Sequence, residues 1–180
     1  MQHEIIFAGF GGQGILLIGQ MVAYSGMDEG LYVTWLPSYG PEMRGGTASC
    51  TVVISDVPVG SPVVSMPEIA VVMNRPSLEK FGPTVKKGGY LFINSSLIDI
   101  RSGRSDIKEI LVPCNDIAAK LGNPRSANIV MLGALIGKTK VISEAAIRGR
   151  IEYAFQKKGE EVVKLNYTAF EAGAKAALEQ

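Results

Sequence analysis

A glycine-rich hexapeptide near the start of the chain, Gly9-Phe10-Gly11-Gly12-Gln13-Gly14, constrains the fold more than any other feature. It follows the apolar run Ile5-Ile6-Phe7-Ala8, and apolar residues at helical spacing follow it. Glycines let a backbone approach an anion closely, and the unpaired N–H groups at the start of a helix favour negative charge. The pattern therefore predicts a strand, a tight turn and a helix whose start binds a phosphate or a carboxylate. A packing turn without a ligand is the alternative interpretation.

A site for an ordinary dinucleotide lacks one of its usual residues here. Such a site carries Asp or Glu about 20 residues after the turn, at the end of the second strand. The second predicted strand, residues 31–36, ends in Thr34-Trp35-Leu36 and stops at Pro37. The missing carboxylate argues against an NAD site but leaves another phosphate-bearing ligand compatible with the turn.

The order of the apolar runs predicts the fold class. Besides the first two strands, the sequence predicts strands at residues 47–55, 69–73, 90–94 and 110–112. Helices are predicted after residue 14, from Pro76, and at residues 115–121, 126–137, 143–158 and 167–178. Strands that are apolar throughout and separated by helices are typical of a mostly parallel sheet covered on both faces. We expect residues 1–180 to form one domain with a three-layer α/β/α fold and a Rossmann-like first βα unit.

Composition excludes several classes of function. The net charge is +1, so no basic surface for nucleic acid is expected. The apolar stretches are far shorter than the roughly 20 residues that span a bilayer, and the start lacks the basic region of a signal peptide. We therefore expect a cytoplasmic protein without membrane contact. Cys50 and Cys114 stand alone and there is one His, so we expect no metal site built from this chain.

A second polar segment, from Ser38 to Gly46, is predicted to form a loop after the second strand. It brings a phenol, a carboxylate and a guanidinium together in Tyr39, Glu42 and Arg44. Arg44 can bind a carboxylate or a phosphate through two parallel hydrogen bonds. Glu42 has two possible tasks, holding Arg44 or hydrogen-bonding a ligand. Because ligands bind outside the carboxyl ends of strands in such sheets, both segments are predicted to lie at one edge.

Together the two motifs carry a resemblance to a known family. Gly-x-Gly-Gly-Gln-Gly after the first strand, followed by Tyr-Gly-Pro-Glu-x-Arg-Gly-Gly, resembles the gamma subunits of 2-oxoacid:ferredoxin oxidoreductases. The similarity extends through residues 74–78 and 122–123 to residues 128–133, and so covers nearly the whole chain.

The resemblance implies an activity that this chain performs only as one subunit. The family converts a 2-oxoacid to an acyl-CoA by reversible, CoA-dependent oxidative decarboxylation and passes electrons to ferredoxin. It uses thiamine diphosphate with Mg²⁺ and iron-sulfur clusters, which the alpha, beta and, in some assemblies, ferredoxin-like delta subunits would hold. The gamma subunit is similar to a lid or CoA-binding module beside the active centre, and no catalytic residue is assigned in this chain.

The resemblance also suggests a ligand-binding set. Arg44 would neutralise the charge of the ligand, with Glu42 and Tyr39 positioning it. Contacts to CoA or to the edge of the thiamine site are assigned to Gly11, Gly12, Gln13, Gly14, Tyr39, Glu42, Arg44 and Gly45. The second motif favours the 2-oxoglutarate or branched-chain type over the aryl-pyruvate type. Two other readings stay open: a stand-alone nucleotide- or CoA-binding module, and a purely structural clamp within an assembly.

Overall fold

Six strands and six α-helices make up the described part of the chain, residues 1–40 and 47–180 of a computed structural model. The strands are β1 (Gln2–Phe10), β2 (Tyr32–Tyr39), β3 (Thr47–Ser55), β4 (Ile69–Val72), β5 (Tyr90–Asn94) and β6 (Lys108–Val112). The helices are α1 (Ile15–Asp28), α2 (Arg75–Phe81), α3 (Cys114–Lys120), α4 (Ala127–Thr139), α5 (Glu144–Phe155) and α6 (Glu160–Leu178). Each of the predicted strands and helices is present.

The strands form one sheet in the order β2-β3-β1-β4-β5-β6. β1, β4, β5 and β6 pair in parallel, whereas β3 is antiparallel to both of its neighbours, β1 and β2. β2 therefore points the same way as β1. The link from Tyr39 to Thr47 is too short for the crossover that a parallel pair needs, so β3 must return antiparallel. The predicted mostly parallel α/β sheet is confirmed.

Helices cover the two faces of the sheet unequally. One face packs against α1, α3, α4, α5 and α6 in a core that contains Phe7, Phe92 and Phe170. Among the described residues, α2 is the α-helix that covers the other face. Its Leu78 packs on Ala70, Val72 and Leu91. The sheet is thus a middle layer, with a thick helical layer on one side and a thin one on the other.

The prediction that the second strand stops at Pro37 is wrong, because β2 continues to Tyr39. Gly40 N–H donates to Thr47 C=O at 2.9 Å. In this register the backbone N–H groups of the alternate residues Ser38 and Leu36 also point toward β3. Pro37 falls on the outward-facing position of this edge strand, where a missing N–H breaks no ladder bond. The loop prediction for Ser38 and Tyr39 is corrected with it.

The last helix begins seven residues earlier than predicted, at Glu160 rather than at residue 167. Its first turn carries Glu160 and Glu161, which suit the positive end of a helix dipole. A buried polar residue interrupts the apolar pattern. Asn166 faces the core and satisfies its own amide by donating to Val162 C=O at 2.8 Å. The apolar spacing in the sequence therefore did not indicate that the helix begins before residue 167.

Helices α4 and α6 cross with their backbones in close contact. A Cβ added at Gly133 would lie 1.9 Å from Phe170 O, and one added at Gly173 would lie 1.8 Å from Val130 O. Only glycine permits such an approach. This pair holds α4 in place, and the start of α4 lies beside the glycine-rich turn. None of the helices in the described ranges is long and apolar enough to cross a membrane.

Candidate functional site

The glycine-rich turn joins the end of β1 to the start of α1, as predicted. Gln13 N–H donates to Phe10 C=O at 3.1 Å and closes the turn. Gly12 and Gly14 have φ angles of 94° and 73°, in the left-handed region that favours glycine. The backbone conformation thus explains two of the glycines without reference to any ligand.

Helix α1 begins without a charge or side chain to neutralise its first N–H groups. Gly14 is its N-cap residue and forms no side-chain cap, and the first turn has no acidic residue. The positive end of a helix macrodipole, equivalent to roughly half a charge, is therefore uncompensated by residues of the helix. Such a helix start is suited to binding a phosphate or a carboxylate.

The Gln13 side chain braces the turn against two strands. Its Oε1 accepts from Phe10 N–H at 2.6 Å, and its Nε2 donates to Met73 C=O at 3.1 Å, just after β4. Both ends of the amide are therefore engaged with backbone groups. The predicted contact between Gln13 and a ligand stays a prediction, and the observed role of the residue is to hold the turn on the edge of the sheet.

Asn128 contacts the turn from the opposite side. It lies in the first turn of α4, is buried, and donates from Nδ2 to Gly14 C=O at 3.3 Å. A Cβ on Gly14 would lie 2.3 Å from that nitrogen. Besides its positive φ angle, Gly14 is therefore favoured because any side chain would clash with Asn128. The sequence favours Asn128 as a cap of its helix over a residue that faces the site, but the N-cap position is Ser126 and the Asn128 amide contacts the turn.

A cleft of about 400 Å³ lies between the turn and the end of β2, and we call it the turn cleft. Gly11, Gly12 and Gly14 form one wall, and Tyr39 with Gly40 forms another. The structure therefore brings together the two segments that were predicted to share an edge. Glu42, Arg44 and Gly45 lie outside the described residues, so their part in the site stays a prediction.

The described walls of the turn cleft are uncharged and largely apolar. Phe10, Ile15 and Leu16 contribute side chains beside the glycines. Tyr39 is 68% exposed and Phe10 is 38% exposed, so both rings remain available to a ligand or a partner chain. The cleft combines an apolar wall with the electropositive start of α1, which suits a long ligand with one anionic part and one apolar part.

A smaller polar pocket of about 170 Å³ lies on the other side of the same turn. Gly12 and Gln13 separate it from the turn cleft, and Asn115, Arg125 and Asn128 complete it. Asn115 and Arg125 carried no periodic or motif signal in the sequence, because they come from elements that only the fold brings together with the turn. Arg125 is exposed and provides the positive charge in this pocket.

The described residues contain no group of three or more His, Cys, Asp or Glu side chains that could hold a metal ion. Both cysteines are buried, as expected for small apolar side chains. Burial raises the pKa of the Cys50 thiol to about 12 and raises the pKa of Cys114 as well. Neither thiol is suited to act as a metal ligand or a nucleophile in this state.

Comparison with known proteins identifies close relatives. The family model for pyruvate ferredoxin/flavodoxin oxidoreductase matches residues 4–176. The chain is 42% identical over 178 residues to ketoisovalerate oxidoreductase subunit VorA of Methanothermobacter thermautotrophicus, covering 98% of this chain and 36% of that relative. It is 35% identical over 185 residues to 2-oxoglutarate synthase subunit KorC of Methanocaldococcus jannaschii, covering 99% of this chain and 96% of that relative.

A solved structure has the same fold. It is the 2-oxoglutarate:ferredoxin oxidoreductase of Magnetococcus marinus with 2-oxoglutarate, coenzyme A and succinyl-CoA bound. It matches with a TM-score of 0.92 and 26% identity, over 99% of this chain and 31% of that chain.

The fold and the site define an α/β domain with a glycine-rich strand–turn–helix unit at the carboxyl edge of its sheet. The chain belongs to the pyruvate ferredoxin/flavodoxin oxidoreductase family, whose model spans residues 4–176. The resemblance inferred from the two motifs is thereby confirmed. The chain spans 36% of the length of VorA and 96% of the length of KorC.

Proposed function

We propose that this chain is the gamma-type subunit of a 2-oxoacid:ferredoxin oxidoreductase complex and that its turn cleft holds part of CoA. The complex would oxidatively decarboxylate a 2-oxoacid to an acyl-CoA and pass the electrons to ferredoxin in the cytoplasm. The observation that carries the proposal is that the glycine-rich turn and Tyr39 line the same cleft. Family membership supplies the reaction, and the cleft supplies the role of the chain within it.

The shape and polarity of the turn cleft fit CoA in two parts. Its phosphates would lie at the start of α1, where the backbone N–H groups of Gly11, Gly12 and Gly14 are suited to an anion. Its uncharged portion would lie along Phe10 and Tyr39. Arg44 would add positive charge, with Glu42 and Gly45 in the same ligand-binding set.

Other cofactors of the reaction are assigned to other chains. Within the described residues, no cluster of Cys, His, Asp or Glu fits an iron-sulfur cluster or a Mg²⁺ ion. Thiamine diphosphate, its Mg²⁺ and the clusters would therefore be held by alpha, beta or delta subunits. The gamma subunit would position CoA and exclude water beside them.

A reconstituted complex tests this assignment. With Arg44→Ala we expect the KM for CoA to rise about tenfold, because one charge-assisted hydrogen bond to a phosphate is lost. The KM for the 2-oxoacid should stay unchanged. Arg101→Ala is the matched control, since Arg101 pairs with Glu109 at the start of β6, at the opposite edge of the sheet. An unchanged KM for CoA would reject the role of Arg44.

The 2-oxoacid itself is proposed from the second motif, which favours a 2-oxoglutarate or branched-chain type. Relatives named for ketoisovalerate and for 2-oxoglutarate both match nearly the whole chain. The activity of the purified complex on several 2-oxoacids, with a low-potential electron acceptor, tests this choice. A clear preference for pyruvate or an aryl-pyruvate would contradict it.

A structural role for the turn is the second candidate, favoured by the hydrogen bonds of Gln13 and Asn128 to it. In that case the glycines serve close packing, and CoA binds elsewhere in the complex. Titration of CoA into the complex with Tyr39→Ala separates the candidates. Weaker binding supports the CoA cleft, and unchanged binding supports the clamp.

A further inference from the structure

The polar pocket of about 170 Å³ beyond the glycine-rich turn lies where two neighbouring strands part, and we call it the Arg125 pocket. Gly12 and Gln13, which follow β1, and Met73, which follows β4, line it. β1 and β4 are adjacent and parallel, but α1 packs on one face of the sheet and α2 on the other. In open α/β sheets, ligands bind outside the carboxyl ends of the strands at such a point.

Asn115 brings a donor without a partner to the Arg125 pocket. Its Oδ1 accepts from Asn94 Nδ2 at 2.8 Å, and Asn94 Oδ1 accepts from Cys114 N–H at 3.2 Å. Because a backbone N–H can only donate, this chain of bonds fixes the orientation of both amides. Asn94 is fully buried at the end of β5, so the arrangement is part of the fold. The Asn115 oxygen is used, and its nitrogen remains available to a ligand in the pocket that Asn115 lines.

Asn128 adds a buried amide to the same pocket. It is 7% exposed, its Oδ1 accepts from Ile129 N–H at 3.0 Å, and its Nδ2 donates to Gly14 C=O at 3.3 Å. An amide nitrogen carries two hydrogens, so one donor is left after the bond to Gly14. Asn128 also lies in the first turn of α4, which has neither a side-chain cap nor an acidic residue there. The positive end of a 13-residue helix is therefore part of the pocket wall.

Arg125 provides the charge of the pocket, and no acidic side chain of the described residues lines it. The other described arginines each pair with a carboxylate, and Arg125 forms no such pair within residues 1–40 and 47–180. The paired arginines are Arg75, Arg101, Arg104, Arg148 and Arg150. The Arg125 guanidinium is thus available to an anion from outside the described part of the chain.

We propose that the Arg125 pocket binds an oxyanion, a carboxylate or a phosphate group, with Arg125 and the Asn115 amide as its principal contacts. The available polar groups are all donors, and an oxyanion offers acceptors to each of them. The fork of an arginine binds two oxygens in parallel, while Asn115 and Asn128 donate to the others. The proposal rests on this geometry and not on the occupant of the turn cleft, although Gly12 lines both.

Thermal unfolding of the full chain in inorganic phosphate and in acetate, each against chloride at equal ionic strength, tests the proposal. We expect at least one of the two anions to raise the Tm, since a ligand that binds the folded state stabilises it. Phosphate also stabilises folded proteins in general, because it is excluded from their surfaces. The contribution of the pocket is therefore the part of the rise that variants of the pocket lose.

Asn115→Asp is the sharpest variant. Aspartate keeps an oxygen for Asn94 Nδ2, but it replaces the available donor with a second acceptor that repels an anion. We expect the apparent affinity for the anion to fall at least tenfold, while the Tm in chloride stays close to that of the wild type. Gln156→Glu makes the same amide-to-carboxylate change at an exposed residue after α5 and should leave the response unchanged.

Arg125→Gln removes the charge at an exposed position, where the fold does not depend on it. It should weaken the apparent affinity about tenfold. Arg101→Gln is the matched control, because the Arg101 side chain is 65% exposed and pairs with Glu109 near β6. A wild-type response to both anions no larger than that of Asn115→Asp and Arg125→Gln would overturn the proposal.

Tyr39→Ala separates this pocket from the turn cleft, because Tyr39 lines the cleft and not the pocket. Its response to the two anions should equal that of the wild type, whatever happens to its binding of CoA. A response to phosphate alone assigns a phosphate group to the pocket, and a response to acetate assigns a carboxylate. If Asn115→Asp also weakens binding of CoA, the phosphate belongs to a larger ligand that spans the turn.

Discussion

Asn128 Nδ2 donates to Gly14 C=O at 3.3 Å, which ties the start of α4 to the start of α1 across 114 residues of sequence. On the other side of the turn, Gln13 bonds to Met73 C=O at 3.1 Å. The glycine-rich turn is therefore held by contacts from two distant parts of the chain. Such support holds the backbone N–H groups of the turn in place, which would lower the ordering cost of binding the proposed ligand.

Replacing glycines of the turn should separate backbone strain from steric conflict. Gly14→Ala should lower the free energy of unfolding by about 2–4 kcal/mol, because φ is 73° and the new Cβ meets Asn128. Gly12→Ala should cost only about 1–2 kcal/mol, since φ is 94° but no atom lies within 4 Å. Urea denaturation of both variants measures the difference. Adding Asn128→Ala to Gly14→Ala should recover part of the loss; strict additivity would contradict the contact.

The brace formed by Gln13 is expected to depend on its amide. Gln13→Glu keeps the acceptor for Phe10 N–H but removes the donor to Met73 C=O. We expect a loss of about 1–3 kcal/mol in the free energy of unfolding at neutral pH. Gln156→Glu, on an exposed residue after α5, is the control. Equal stabilities of the two variants would show that the brace is unimportant.

The crossing of α4 and α6 should tolerate no side chain at Gly133. Its Cβ would lie 1.9 Å from Phe170 O, so Gly133→Ala must separate the helices, at a cost of about 3 kcal/mol. Gly149→Ala, on the exposed side of α5 with no atom within 4 Å, should instead stabilise the chain by about 0.5–1 kcal/mol. Denaturation midpoints compare the two. Similar effects of both would contradict the close backbone contact.

Buried thiols predict a loss of stability at high pH. The ordinary pKa of a cysteine here is 9.0, and burial raises that of Cys50 to about 12 in the folded chain. The unfolded chain therefore loses this proton first. The thiol's contribution is fully present below pH 9.0 and falls, by about 1.4 kcal/mol per pH unit, as the pH rises toward 12.

Cys50→Ala tests this by comparison with the wild type. The free energy of unfolding of the variant should decline less steeply above pH 9.0, whatever the cost of the smaller side chain at lower pH. Parallel declines of the two proteins would mean that the Cys50 thiol is not protected. The folded wild type should also react slowly with thiol reagents at pH 8, because both cysteines are buried.

Local signals predicted those parts of the fold whose cause is local. The glycine turn from Gly9 to Gly14 is found as expected. The helix predicted from residue 143 is also present, with Ser143 as its N-cap residue, whose hydroxyl accepts from Ala146 N–H at 3.2 Å. The strand end predicted at Pro37 was wrong because the effect of a proline depends on whether its strand lies at the edge of the sheet. The helix start predicted at residue 167 was wrong because the buried Asn166 satisfies its amide by a hydrogen bond within its own helix.

The site was predictable only in part, because some of its contacts join residues that are distant in sequence. The meeting of Tyr39 with the glycine-rich turn followed from strand order, since the carboxyl ends of β1 and β2 share an edge. The contact of Asn128 with the turn did not, because it depends on Gly14, which is distant in sequence. From the sequence, Asn128 at the start of a helix is also compatible with a cap, so the pattern does not identify its contact with Gly14.

The KM for CoA in a reconstituted complex that contains Gly12→Ala tests the central claim most directly. The added methyl group would project beside the turn cleft, where Gly12 has no neighbour within 4 Å. We predict that the KM for CoA rises about tenfold relative to a Gly149→Ala complex while the KM for the 2-oxoacid is unchanged. An unchanged KM for CoA in a fully assembled complex would contradict the claim that the turn cleft holds CoA.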